Sequence, residues 1–158
     1  MKAIYLILAS LILIGCADQS TPKVTDTAGY DAALAQELGA DDYGMRQYVM
    51  VILKTGPNDK IITDKQERAE IFKGHFANMA KLAEAKQLVL AGPFSDPEGT
   101  RRGLYIFNVK TAEEAQQLVM TDPAVKAGIF TAEFTPYYGS AALMQVNNIH
   151  TRIAKTSP

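Results

Sequence analysis

The stretch YVMVILKTGP, residues 48–57, decides the fold. Six apolar residues run from Tyr48 to Leu53, several of them β-branched, and the run stops at Thr55-Gly56-Pro57. An amphipathic helix would break such a run with polar positions, so this is a strand with apolar side chains on both faces. C-terminal to it, Thr63-Asp64-Lys65-Gln66 has the S/T-x-x-E/Q spacing of a capping box and opens a helix expected to end near Lys86. Leu88 to Ala91 is a second apolar run, closed by Gly92-Pro93. Phe94 to Arg102 is rich in turn formers, among them Asp96-Pro97, and Gly103 to Val109 reads as a third strand. Thr111-Ala112-Glu113-Glu114 repeats the capping-box spacing and starts a helix through Val119 or Met120. Asp122-Pro123 begins a short turn that ends at Gly128, and Ile129 to Tyr137 is the last strand.

The order strand, helix, strand, strand, helix, strand is the split βαβ pattern of a ferredoxin-like α+β domain, one antiparallel sheet with two helices on one face. Residues 48–53, 88–91 and 104–107 are apolar at every position, so the other face also demands burial. A lone sheet would expose more contiguous apolar surface than soluble monomers tolerate. The expectation is a homodimer with its sheets face to face, a dimeric α+β barrel.

N-terminal to the strand the sequence changes character. Lys2 carries a positive charge, and Ala3 to Gly15 is an apolar stretch with Ser10 as its polar interruption. A bilayer-spanning helix needs about 20 apolar residues, so residues 1–15 read as a signal peptide. The stretch ends in Leu13-Ile14-Gly15-Cys16, which resembles the bacterial lipobox and makes Cys16 the candidate lipidation site. Two acyl chains at ~0.8 kcal/mol per buried CH2 anchor stably where one is marginal, so a lipid bilayer is an expected partner. The chain would then sit on the bacterial cell envelope, outside the cytoplasm, and Ala17 after the cysteine leans toward the outer membrane. The other reading of Cys16 is a free thiol in a secreted protein. Ala17 to Tyr30 has few large apolar residues and reads as a tether, and Tyr30 to Leu38 is a short helix capped by Gly39. The expected organisation is a signal peptide over 1–15, the lipidated Cys, tether and short helix over 16–45, the α+β domain over 46–146 and a polar tail over 147–158. His150, in that tail, receives no role.

Composition removes several functions. With 16 Lys+Arg against 17 Asp+Glu the formal net charge is −1, and Arg101-Arg102 is the one adjacent basic pair, so no nucleic-acid partner is expected. One Cys and two His offer no ligand cluster of zinc spacing, and no metal is expected. The sequence lacks G-x-G-x-x-G, G-x-x-x-x-G-K-[ST], H-E-x-x-H and G-x-S-x-G, so no nucleotide cofactor, zinc peptidase or α/β-hydrolase chemistry is indicated.

His75 is the leading candidate for chemistry. At 100° per residue from Phe72, His75 falls near ~300°, inside the apolar arc from Ile71 at ~260° to Phe76 at ~40°. An imidazole there faces the sheet, where burial disfavours its charged form and leaves it an acceptor or base. The plainer reading is a core histidine with one satisfied hydrogen bond. Asp122 before Pro123 is a second candidate, and an N-cap followed by Pro at the first helical position explains it equally well. Arg101 and Arg102 could hold an anion or form a solvated hairpin tip. Glu133 and Tyr138 suit a pocket rim less well than a solvated strand and packing.

Taken in order, Lys54-Thr55-Gly56-Pro57, the helix containing His75, Leu88 to Phe94, Arg102 to Phe107, Ala112-Glu113-Glu114-Ala115 and Asp122 to Gly128 resemble the YCII-related (YciI-like) family, over Gln47 to Tyr138. The resemblance implies a ferredoxin-like fold, a dimeric α+β barrel and a pocket between helices and sheet near a His and an Asp of an active site. Those fall on His75 and Asp122. Gly92, Pro93, Arg102 and Tyr137 are the expected pocket residues, with Pro136-Tyr137 standing where the family closes with Pro-Trp. Two readings follow. One is an enzyme on a small polar or aromatic molecule, with His75 as base and Asp122 as its partner; the other is a non-catalytic lipoprotein that binds a ligand or an envelope partner.

Overall fold

The computed structural model describes residues 29–95 and 99–156; the expected signal peptide, Cys16 and Asp96-Pro97 lie outside the described residues. Helix α1 (Ala32–Leu38) starts at Asp31, whose carboxylate accepts from Leu34 N–H, and ends at Gly39 in the left-handed conformation. Then follow β1 (Met45–Thr55), α2 (Lys65–Glu84), β2 (Leu88–Pro93), β3 (Arg101–Phe107), α3 (Ala112–Val119), α4 (Pro123–Lys126) and β4 (Phe130–Ser140). A 3-10 segment (Ala141–Gln145) and α5 (Val146–Ile153) complete the described chain.

The four strands form one antiparallel sheet in the order β2-β3-β1-β4. That order with these connections is the ferredoxin-like split βαβ fold. Strand alternation sends Val49, Val51 and Leu53 of β1 and Tyr105 and Phe107 of β3 to the helical face. There they pack on Leu82 of α2 and on Ala115 and Val119 of α3.

The opposite face differs from the expectation of a wholly bare apolar sheet. Tyr48, Val89 and Ile106 are buried there, with Leu143 and Met144 from the 3-10 segment packed against them. The chain therefore covers part of that face itself. Met50, Ile52, Leu90 and Leu104 remain half-buried.

Local differences have local causes. The α2 N-cap is Asp64, not Thr63: its carboxylate accepts from Glu67 N–H at 2.8 Å, shifting the start by one residue. The second capping box forms as read, Thr111 and Glu114 each bonding the other's backbone. Strand β3 begins at Arg101, which pairs with Lys54 of β1, and stops at Phe107, after which Asn108 N–H bonds Gln87 C=O; both ends come earlier than expected. Residues 147–153, read as the start of a polar tail, are helical, within α5 (Val146–Ile153). Asn147 of that helix donates to Leu88 C=O at 2.8 Å, closing one acceptor on the free edge of β2.

Candidate active site

Helix α2 carries His75 on its buried face, and the ring is held by aromatic neighbours. Phe72 and Phe76 meet it edge-on at 5.8 and 5.3 Å between centroids, Phe130 lies at 5.5 Å and Tyr105 stacks at 6.3 Å. Asp122 reaches it from α4. That helix crosses α2 so closely that a Cβ on Gly74 would stand 2.9 Å from Pro123 Cγ. Only glycine fits the crossing without displacement, and the crossing sets Asp122 beside His75.

The carboxylate divides its work between its two oxygens. Asp122 Oδ1 accepts from Ala124 N–H at 2.9 Å and caps α4. Oδ2 faces His75 Nδ1 at 2.7 Å and accepts from the Tyr105 hydroxyl at 3.2 Å. The two sequence readings of Asp122, helix cap and histidine partner, are therefore both present. At 1% exposure it is among the most buried side chains, and each of these bonds offsets desolvation of a carboxylate.

A carboxylate acceptor requires the proton of a neutral imidazole to sit on Nδ1, which leaves the Nε2 lone pair available. Among the described residues Nε2 has no hydrogen-bond partner. Burial, then the charge of Asp122 and its hydrogen bond, hold the Tyr105 hydroxyl well above the usual phenol range, so it stays a donor.

His75 lines a cavity of about 220 Å3. Gly92, Pro93 and Arg102 line the same cavity, together with Phe76, Tyr105 and Phe130. The sheet is irregular here. Leu53 pairs with Gly103 and Lys54 with Arg101, so Arg102 is the extra residue of a bulge, without a partner on β1. Its guanidinium makes no ion pair or hydrogen bond among the described residues.

Tyr137 is elsewhere, which corrects its expected place in the pocket. It pairs with Tyr48 across β1 and β4, and the two rings are 6.4 Å apart on the sheet face turned away from α2. Glu133 meets Lys54 at 2.6 Å in an exposed ion pair, and the Tyr138 hydroxyl donates to Asp41. His150 lies on α5 and lines a second cavity. Sequence reasoning missed Tyr105 and Gly74. Alternation from Phe107 would have aimed Tyr105 at the helices, whereas nothing local to Gly74 announces Pro123.

A model of the YCII-related domain matches residues 47–133. The uncharacterized protein YjpA of Bacillus subtilis (strain 168) is 30% identical over 84 residues, 53% of this chain and 85% of YjpA. Among solved structures, the 5-chloro-2-hydroxyhydroquinone dehydrochlorinase TftG of Burkholderia phenoliruptrix AC1100, in complex with 2,5-dihydroxybenzoquinone, matches with a TM-score of 0.39 and 18% identity. That match covers 58% of this chain and 89% of TftG.

Proposed function

Because this chain belongs to the YCII-related domain family, we propose that it is a small-molecule enzyme working by acid/base chemistry at His75. The observation that carries the reading is the 2.7 Å contact between His75 Nδ1 and Asp122 Oδ2 beside a cavity that His75 lines. With Nδ1 pinned, Nε2 accepts a proton from a substrate in the cavity. Asp122 holds the tautomer and stabilises the imidazolium that forms, as carboxylates do in histidine-based sites. Tyr105 donates to the same carboxylate oxygen and fixes its direction. The proton on Nε2 then returns to another atom of the substrate, giving isomerisation, or to a leaving group, giving elimination; if Nε2 instead takes the proton of a water, the water oxygen bonds to the substrate and the proton goes to the departing group, giving hydrolysis. A positioned base contributes about 10^2 to 10^4 in rate, which suits activated substrates. The test is to screen activated small molecules with the wild-type chain and with His75→Ala. Equal turnover in both, with the variant folded, rules the mechanism out.

The envelope setting is part of the proposal. The Leu13-Ile14-Gly15-Cys16 motif supports lipidation at Cys16 and tethering to a bacterial membrane outside the cytoplasm. Mass spectrometry of the chain from cells tests it: a diacylglycerol adduct on Cys16, lost in Cys16→Ala, is expected, and an unmodified thiol contradicts it. The half-buried Met50, Ile52 and Leu104 on the sheet face away from α2 support pairing with a second copy.

A further inference from the structure

A larger cavity lies next to the site. It measures about 590 Å3 and is bounded by α2, the free edge of β2 and α5. Phe76 and Met79 stand in its wall and in the wall of the His75 cavity. The order of the other lining residues shows how the two are joined. Along α2, Phe72 and His75 line the smaller cavity and Ala80 and Ala83 the larger. Along β2, Gly92 and Pro93 line the smaller, and Leu88, Leu90 and Ala91 the larger. The two cavities thus lie end to end along α2 and β2, with Phe76 and Met79 at their junction, and are treated as two lengths of one groove. Phe72 to Ala83 spans about 16 Å at 1.5 Å per residue.

The groove is chemically asymmetric. At the His75 end stands Arg102, a cation with no partner among the described residues. Beyond Phe76, Met, Ala, Leu and Val side chains share the walls with His150 and with the opposite charges of Glu84 and Lys86, so no single charge sign dominates that end. The polar groups there are in part already committed, Asn147 to Leu88 C=O and Thr151 to Asn148 C=O.

From this we infer that the groove takes an amphipathic carboxylic acid, with the carboxylate at Arg102, the atoms next to it at His75 and an apolar chain running over Phe76 and Met79 to α5. The inference rests on the acid/base reading of His75 for its chemistry but not for its binding geometry. Arg102 pairs with a carboxylate through a charge-assisted fork. The apolar chain gains by leaving water for the α2–β2–α5 walls.

The test is calorimetric titration of the full chain with butanoate, octanoate and dodecanoate, and with dodecanol as the neutral control. At about 0.8 kcal/mol per buried CH2, affinity tightens up to about fourfold for each added methylene that enters the groove. Ala83→Phe fills the larger cavity and is expected to weaken dodecanoate at least tenfold while leaving butanoate unchanged. Ala80→Phe, at an exposed position of the same helix, gives the same pattern if Ala83→Phe does not fold. Arg102→Gln is expected to weaken dodecanoate about tenfold and dodecanol hardly at all. Affinity independent of chain length, equal loss of short and long acids in Ala83→Phe, or equal loss of acid and alcohol in Arg102→Gln overturns the proposal. So does a change of oligomeric mass in Ala83→Phe with acid binding unaltered, which would mean that a second copy fills the groove. Should chain-length dependence hold while His75→Ala retains full turnover, the mechanism fails and the binding geometry stands. The reverse outcome removes the groove and keeps the base.

Discussion

Gly74 and Pro123 touch where α2 and α4 cross, and a methyl group on Gly74 would approach Pro123 Cγ to 2.9 Å. The contact matters because of its sequence neighbours. His75 follows Gly74, Asp122 precedes Pro123, and their side chains meet at 2.7 Å. The backbone crossing is thus the support for the polar pair.

Gly74→Ala separates this positioning role from stability. Alanine in a helix interior gains about 1 kcal/mol over glycine, and the clash with Pro123 costs about 1 to 3 kcal/mol. The net change in stability is expected to be small, a loss of about 2 kcal/mol at most. Displacing α4 lengthens the contact between Asp122 and His75, and activity is expected to fall about 10- to 100-fold. Thermal melting and turnover measured on one preparation check the contrast. A loss of activity no larger than the stability loss explains would remove the positioning role.

Asp122 tests the double use of one carboxylate. In Asp122→Asn the amide oxygen can still cap α4 at Ala124 N–H, so about 1 to 2 kcal/mol of stability is expected to be lost. Asp122→Ala leaves Ala124 N–H unpaired and His75 Nδ1 and the Tyr105 hydroxyl with only each other, 3.5 Å apart, in a buried site, and about 3 to 5 kcal/mol is expected to go. Both variants lose the carboxylate that stabilises the imidazolium, so both should lose about 10^2 to 10^4 in rate. Denaturant unfolding alongside kinetics distinguishes them: different stabilities, similar inactivity.

How far these parts could be read from the sequence depends on how local their causes are. The run from Tyr48 to Leu53 declares a strand through six adjacent side chains, and Thr111 with Glu114 declares a helix start within four residues. Both form as read. The helical period alone aims His75 inward, and it is buried. Helix α5 is not legible in the sequence because its N-cap residue, Gln145, makes no side-chain capping bond, so the usual start signal is absent. The family resemblance sets Tyr137 in the pocket, and the sequence alone carries no register to decide its face. Its pairing with Tyr48 fixes its face, and pairing is a tertiary fact. Gly74 belongs to the same class, since its reason lies in a residue from another helix.

The Tyr105 hydroxyl should show itself at high pH. Burial first, then the Asp122 charge and hydrogen bond, raise its pKa in the folded chain above the ordinary 10.0. A raised folded value means that the folded chain keeps the proton when the unfolded chain has released it. The contribution is therefore whole below about pH 10 and declines as pH rises from 10 toward the folded value, with a slope up to about 1.4 kcal/mol per pH unit. Tyr105→Phe keeps the ring stacked on His75 and removes the titrating group, so its stability is expected to fall less steeply between pH 10 and 11. Parallel slopes for the two proteins would contradict the burial of this hydroxyl.

The second sheet face can be tested at Ile52. Its neighbour across β4 is Glu133, so a lysine at 52 gains an opposite charge directly across the strand pair. Ile52 is only half-buried within one chain, so Ile52→Lys is expected to cost a single chain less than about 1.5 kcal/mol. Two copies stacked through this face would bury both lysines in an apolar interface, where desolvating each ammonium costs several kcal/mol that a contact with Glu133 does not repay. Light scattering at micromolar concentration is expected to give twice the chain mass for the wild type and the chain mass for Ile52→Lys. A wild-type chain that is already monomeric means that Leu143 and Met144 cover enough of Tyr48, Val89 and Ile106 by themselves, and the paired-sheet arrangement falls.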